Sequence, residues 1–377
     1  MYCKKVSLKD FRNISACSVE FCDGINILVG ENAQGKTNLL EAVFYASVGR
    51  SFRASASNEM IKFGSKSAEV SIDYLSEKKE RSDNITIRLF SDKKKTVEKN
   101  HLRVEKLSDI VGSFRAVLFC PEHLSLIKDG PLERRNYLDI AISRISPKYI
   151  YSLQRYGYFL KQRNALLRSA QKDRGVFDST VDLWSEQLAK EAAEISRFRV
   201  EFLKRVALIV GECFEDMTGK KESVEIVYRG SAGLDEADYF DKEKVTEKYL
   251  SLFSSSYDRE IALGATLFGT HKDDIEIKIN SKNARSFASQ GQQRSLALAL
   301  KLAEGEICKE EFGDYPVFLF DDVLSELDET RRDYMIRYAT GKQVIITTCE
   351  SAVIETLKAD KCILVKSGTY SEICGSV

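Results

Sequence analysis

Apolar and polar positions divide the chain into a strand-rich start, a helical middle and a return to alternating strands and helices. Residues 3–10 and 16–22 alternate with the period of half-buried strands around Phe11-Arg12-Asn13. With the β-type run 25–29 they predict an antiparallel leading edge that feeds the strand over 25–29. A helix follows, with Leu40, Val43 and Phe44 on one face and Gly49 at its end. Strand-like runs at 68–75 and 84–90 are separated and followed by charged stretches, 76–84 and 91–99, which read as solvated hairpin tips. A further strand over 114–119 runs into Pro121-Glu122-His123.

From Pro131, well suited to a first helical position, to about residue 217 nearly everything reads as helix. The stretch 148–169 keeps Ile150, Leu153, Leu160 and Leu167 on one stripe. In the next, Trp184, Leu188, Ala192, Ile195, Phe198, Phe202, Val206 and Ile209 step by threes and fours, which predicts core or a helix–helix seam. The segment is far too short for the long coiled arm of a chromosome-organising ATPase. A strand over 222–228 and a helix over 238–253 close it. The β/α pattern then resumes through 264–274, a strong helix over 295–308, an apolar strand ending in Asp321-Asp322 and a buried-type strand over 343–348. The fold class that follows is α/β, with one lobe from 1–120 and 261–377 and an inserted, mostly helical lobe over 121–260.

The turn after the strand 25–29 carries the first chemistry. Gly30-Glu31-Asn32-Ala33-Gln34-Gly35-Lys36-Thr37, followed by Asn38, has the spacing G-x-x-x-x-G-K-T of a phosphate-binding P-loop. Gly30 and Gly35 let the backbone curl so that its N–H groups face a phosphate. The following helix adds its positive dipole end. Lys36 would reach the β- and γ-phosphates, and Thr37 would place a hydroxyl on Mg²⁺. The apolar strand ending in Asp321-Asp322 reads as the Walker B element, with Asp321 for Mg²⁺ and Asp322 to orient or deprotonate the attacking water. Lys36, Asp321 and Asp322 are therefore the candidate catalytic residues, and ATP and Mg²⁺ the expected cofactors.

Ser289-Gln290-Gly291-Gln292-Gln293 is a Ser/Gly turn at a helix N-terminus. Taken alone it could be a helix cap. The order of motifs argues for more: P-loop, long insertion, Ser-x-Gly-Gln turn, Walker B, then Ser325-Glu326-Leu327-Asp328. This is the order of an ABC-type P-loop ATPase head. In that class the Ser/Gly turn completes the site of a second subunit, and Ser325 and Asp328 fall in the D-loop. An ATP-dependent homodimer follows, closed by ATP and released by hydrolysis.

Bulk properties narrow the setting. Lysines and arginines number 57, as do acidic residues, so the net charge is zero. Nucleic-acid binders are usually basic, yet a local basic face is enough. Nine cysteines form no C-x-x-C pair and only three histidines occur, which disfavours a zinc site or a disulfide framework. No apolar run approaches the roughly 20 residues that span a bilayer, and the start, Met-Tyr-Cys-Lys-Lys-Val, has no apolar signal region. A cytoplasmic protein with no membrane partner is expected.

The resemblance becomes specific in Leu8-Lys9-Asp10-Phe11-Arg12-Asn13, the P-loop with Asn38-Leu39-Leu40-Glu41-Ala42, and Gly49-Arg50-Ser51-Phe52-Arg53. It continues in Phe119-Cys120-Pro121-Glu122-His123-Leu124, Pro131-Leu132-Glu133-Arg134-Arg135-Asn136-Tyr137-Leu138-Asp139 and Gly269-Thr270-His271-Lys272-Asp273-Asp274. With 289–294 and 321–328, these segments cover almost the whole chain in order, and the chain resembles the RecF family of bacterial recombination-mediator ATPases. The resemblance implies a protein that dimerises with ATP on double-stranded and gapped DNA, acts with RecR and RecO to help load RecA, and hydrolyses ATP slowly. Two positions depart from the wider ABC pattern: Thr347-Thr348 stand where many members carry a switch histidine, and Glu122 stands near where a Q-loop glutamine is expected.

Two other readings are weaker. The motor of a membrane transporter would carry the switch histidine and Asp-Glu in Walker B. A nuclease-associated ATPase would need a metal-nuclease domain for which the stretch after Asp328 is too short. Arg12, Arg50, Arg53, Arg134 and Arg135 could meet DNA phosphates, but a structural ion-pair role fits each better. No base-reading motif is present, which predicts sequence-independent, salt-sensitive binding.

Overall fold

The computed structural model describes residues 1–54, 56–76, 81–105, 109–219, 221–324, 327–350 and 357–373. The chain begins with β1 (Tyr2–Phe11), β2 (Ile14–Glu20), β3 (Ile25–Val29), α1 (Lys36–Val48), β4 (Ser67–Ser76), β5 (Arg81–Phe90), β6 (Thr96–Lys99), β7 (Leu102–Val104) and β8 (Ala116–Phe119). It continues with α2 (Ser125–Lys128), α3 (Pro131–Ile145), α4 (Pro147–Ala170), α5 (Gly175–Thr218), β9 (Val224–Arg229), α6 (Lys242–Leu263), β10 (Asp274–Ile279), β11 (Lys282–Asn283) and α7 (Ala284–Phe287). It ends with α8 (Gln290–Phe312), β12 (Val317–Asp321), α9 (Glu329–Ala339), β13 (Val344–Thr348), β14 (Lys361–Lys366) and β15 (Thr369–Glu372). Two compact units result, one of Met1–Leu124, Cys213–Lys220 and Gln290–Val377, the other of Ser125–Glu212 and Lys221–Ser289.

The first unit holds two sheets. One is antiparallel, in the order β2-β1-β4-β5-β6-β7. The other runs β15-β14-β3-β13-β12-β8 and is parallel except for β15. The leading hairpin therefore does not pair with β3 as the sequence predicts. The burial patterns give the reason. β1 and β4 alternate, as strands with one solvated face do, whereas β8, β12 and β13 are buried throughout, as strands covered on both faces are.

Helix α1 packs against β1, β4 and β5 of one sheet and β8, β12 and β13 of the other. Ten of its thirteen residues are consequently buried, rather than one face. It ends at Gly49, whose left-handed backbone (φ 70°) donates its N–H to Tyr45 O. The charged stretch 91–99 is only partly a hairpin tip, because 96–99 form β6. Arg88 of β5 makes this possible by pairing with Glu98 of β6 and Glu69 of β4 across the sheet.

The second unit combines α3 to α6 with a small antiparallel sheet, β11-β10-β9. On α5 the predicted stripe holds: Leu188, Ala192, Ile195, Phe202 and Val206 are buried. On α4 the buried face is Tyr149, Ser152, Tyr156, Arg163, Leu167 and Ala170; of the predicted aliphatic stripe Leu167 is buried, while Ile150, Leu153 and Leu160 are half-buried. The cause is a polar core. Arg163 pairs with Glu260 at 2.7 Å, both fully buried, and donates to Ser185 and Thr266 hydroxyls. Arg199 donates to Tyr149 Oη, Thr270 O and Asp139, and also meets Asp273, which accepts from Tyr228 and from the Ser231 N–H. Such a network of buried charges and hydroxyls fixes one arrangement, because removing a member would leave its partner unpaired in a low-dielectric interior. The segment Gly269-Thr270-His271-Lys272-Asp273-Asp274 is its keystone. Gly269 has φ 130°, and a Cβ there would stand 2.3 Å from Tyr156 Oη.

Candidate nucleotide site

The P-loop links β3 to α1 and is clamped from several sides. Gly30 lies under β14: a Cβ on it would stand 2.3 Å from Val365 O. Ala33 (φ 62°) and Gly35 (φ 114°) supply the left-handed turns. Gln34 accepts the N–H groups of Ser367 and Gly368 through its side chain and backbone oxygens, at 2.6 and 2.9 Å. Tyr370 Oη donates to Gly35 O at 2.9 Å, and Asn38 donates to Asn13 at 2.7 Å. The β14–β15 hairpin thus walls the loop, a role for which the sequence carries no motif.

Lys36 is buried and turned into the loop, where Nζ donates to Gly30 O and Glu31 O at 2.5 and 2.8 Å. Beside it the Cys349 thiol, 3.5 Å from Nζ, donates to Asn32 Oδ1 at 2.8 Å. One turn further back, Glu41 is fully buried and accepts two hydrogen bonds from Arg12, at 2.7 and 2.8 Å.

Walker B meets the P-loop around the end of β13, which lies between β3 and β12. Thr37 Oγ1 donates to Asp321 Oδ1 at 2.8 Å, and Thr347 Oγ1 donates to the same oxygen at 2.7 Å. Thr347 Oγ1 also accepts the Asp322 N–H at 3.0 Å. Burial pushes the Asp321 pKa up, the two threonine hydroxyls pull it down, and Glu122 and Arg53 act on it with opposite signs. Asp322 is exposed, with a left-handed backbone (φ 54°) that turns the chain off the strand. Sequence reasoning missed Thr347 as a partner of Asp321. Its signal is a hydroxyl at the C-terminal end of the central parallel strand.

A second cluster lies at the starts of α8 and α9. Ser289 is exposed immediately before α8, Gln290 is exposed, Gly291 and Gln292 are half-buried and Gln293 is buried. Asp328 caps α9 by accepting the Arg331 N–H at 3.0 Å, and it pairs with the Arg331 guanidinium. Arg331 donates to Ser295 at 2.6 Å and lies 3.2 Å from where a Gly291 Cβ would be. Ser325 lies outside the described residues. Of the arginines considered for DNA, Arg134 is bound to Asp274 and to two backbone carbonyls, Arg135 donates to Asp273 O, and Arg53 is exposed.

The donor set suits a magnesium nucleotide. The loop offers a curled backbone and a lysine, and Thr37 and Asp321 offer hard oxygens. Among the described residues no group of three or more His, Cys, Asp or Glu could hold a metal, so Mg²⁺ would need phosphate and water oxygens as well, as is usual for that ion. No described helix is long and apolar enough to cross a membrane.

Residues 2–371 match the family model for the RecF/RecN/SMC N terminal domain. The DNA replication and repair protein RecF of Clostridium novyi (strain NT) is 38% identical over 348 residues, 92% of each chain. The solved structures of the recombination mediator protein RecF of the RecFOR pathway, RecF-ATPrS and RecF-ATP, superpose with TM-scores of 0.92 and 0.91 at 33% and 34% identity, covering 99% of this chain and 98% of theirs. P-loop, Walker B, the Ser/Gly turn of α8 and these whole-length likenesses agree: the chain belongs to the RecF family of DNA replication and repair proteins.

Proposed function

We propose that this chain is an ATP-gated recombination mediator. In this reading it binds ATP with Mg²⁺, dimerises around it, and holds duplex DNA near single-strand gaps so that RecR and RecO can help load RecA in the cytoplasm. The observation that carries the reading is the hydrogen-bonded trio of Thr37, Asp321 and Thr347, with Lys36 folded into the adjoining P-loop, at the C-terminal ends of three parallel strands, where open α/β sheets bind ligands. The ATP form of a relative that superposes over nearly the full length supports it.

The roles follow from position. Lys36 exchanges its two carbonyl partners for the β- and γ-phosphates, so its charge is already placed before the nucleotide arrives. Thr37 and Asp321 would hold Mg²⁺, which when bound supplies charge stabilisation to the phosphoryl oxygens. Asp322, exposed beyond the strand, orients the attacking water. Ser289 and Gly291 at the start of α8 present N–H groups and a hydroxyl to the γ-phosphate held by a second copy. ATP then favours the closed dimer by its difference in affinity between the two states.

Sedimentation with ATP, with ADP and without nucleotide tests this. The wild type should dimerise with ATP alone. Lys36→Ala should stay monomeric because it no longer holds the nucleotide. Ser289→Arg should bind ATP at wild-type affinity yet stay monomeric. Normal dimerisation of Ser289→Arg would overturn the two-subunit site.

A further inference from the structure

We propose that the outward face of α4 is a track for the phosphates of duplex DNA. The proposal rests on the DNA-binding reading above and names the surface that performs it. In a chain of equal acidic and basic count, the 24 residues of α4 include Lys148, Arg155, Lys161, Arg163 and Arg168 but no Asp or Glu. Arg163 points into the polar core. The others lie on the outward half of the helix with Tyr151 and Tyr158, Lys148 and Arg168 near its opposite edges because twenty residues leave them about 160° apart around the axis.

What separates the face from the other long helices of this unit is the absence of acids, since α3, α5 and α6 all carry Asp or Glu. Elsewhere in the same unit some surface cations are paired, Lys190 with Glu186, Arg197 with Glu194 and Glu201, Lys204 with Glu236, Lys244 with Asp238, whereas Lys172, Lys248 and Arg259 are exposed with no ion pair among the described residues. On α4, Lys148 and Lys161 pair with no carboxylate among the described residues, and Arg168 meets only a backbone carbonyl at 3.5 Å. Arg155 is held by Glu191 and stacks between the rings of Tyr151 and Phe159, at 5.5 and 5.4 Å. Tyr151 and Tyr158 are 58% and 54% exposed, so their hydroxyls stand among the cations as donors for phosphate oxygens. Lys148 and Arg168 are twenty residues apart, about 30 Å at 1.5 Å per residue, close to one turn of B-DNA at about 34 Å. A helix of that length whose own sequence carries cations and no acid suits a polyanion of regular charge spacing better than a folded protein partner, whose surface mixes signs.

The test is equilibrium binding of the full chain, with ATP, to a sequence-neutral duplex across a range of salt. Two variants carry it: Lys148→Ala/Lys161→Ala/Arg168→Ala, and the single charge reversal Lys161→Glu. The control is Lys190→Ala/Arg197→Ala/Lys204→Ala, which removes as many cations from paired sites. Each phosphate contact contributes about 0.9 to the slope of log affinity against log salt, so the α4 triple variant should lose about 2 to 3 in slope and bind at least tenfold more weakly at low salt. Lys161→Glu should lose about 1, and the control should keep the wild-type slope. ATP-driven dimerisation should be unchanged in all three. A wild-type slope in both α4 variants, or an equal loss in the control, would overturn the assignment of α4. A wild type that itself bound no duplex would instead overturn the DNA-binding reading.

Discussion

Asp321 receives two hydroxyls on a single oxygen, and this makes Thr347 more than a β-strand residue. One hydroxyl belongs to the P-loop, the other to the C-terminal end of β13. Outer partners that orient a metal ligand typically contribute ten- to a hundredfold in metal affinity. Thr347→Val should therefore raise about tenfold the Mg²⁺ needed to tighten binding of a fluorescent ATP analogue, with metal-free binding unchanged. Thr347→Ser should restore it, and equal Mg²⁺ dependence in all three would show that the contact is idle. His271 makes a different prediction. Its Nδ1 accepts from Tyr156 Oη at 2.6 Å and its Nε2 faces Thr266 O at 3.2 Å, so the ring is held neutral. Burial lowers its pKa from 6.5 to about 4. The unfolded ring protonates first as pH falls, so this contribution is whole above pH 6.5 and is lost down to about pH 4. A shift of this size is worth up to about 3 kcal/mol. Urea unfolding at pH 7.5, 6 and 5 should show wild-type stability falling more steeply than that of His271→Gln; parallel curves would contradict the assignment.

The P-loop owes its shape to the β14–β15 hairpin as much as to its own glycines. Ser367, Gly368 and Tyr370 bond to Gln34 and Gly35, residues that a motif leaves as variable spacers. Tyr370→Phe removes one such bond, worth about 0.5–1.5 kcal/mol. It should weaken ATP binding about two- to tenfold in a direct titration while the melting temperature barely moves; unchanged affinity would mean the hairpin is mere packing. Here the limits of reading a sequence are plain. Strands over 68–75 and 84–90 and the α5 stripe were legible because periodicity reports burial on one face. Three features were not. α1 is buried nearly all round because it lies between two sheets, β2 and β3 are neighbours in sequence but lie in different sheets, and α4 buries tyrosines and an arginine. Each depends on what the far side of an element meets, which periodicity does not encode.

For the molecule as a whole, the order of motifs was the most informative signal. Glycine, lysine, hydroxyl and acid placed in that order across nearly 300 residues meet at one point because parallel β3, β13 and β12 present their C-terminal ends together. The hydrogen bonds from Thr37 and Thr347 to Asp321 are the physical form of that order. The surface proposed to meet DNA was the least legible feature. The zero net charge conceals local charge, and arginines chosen for their motifs, Arg12, Arg134 and Arg135, turn out to hold the structure together. The measurement that tests the account most directly is binding to a gapped duplex without nucleotide, with ATP and with ADP, at two salt concentrations, beside Lys36→Ala. The account predicts tight binding with ATP alone, weakened by salt and lost in the variant. Binding indifferent to nucleotide, or retained by Lys36→Ala, would contradict it.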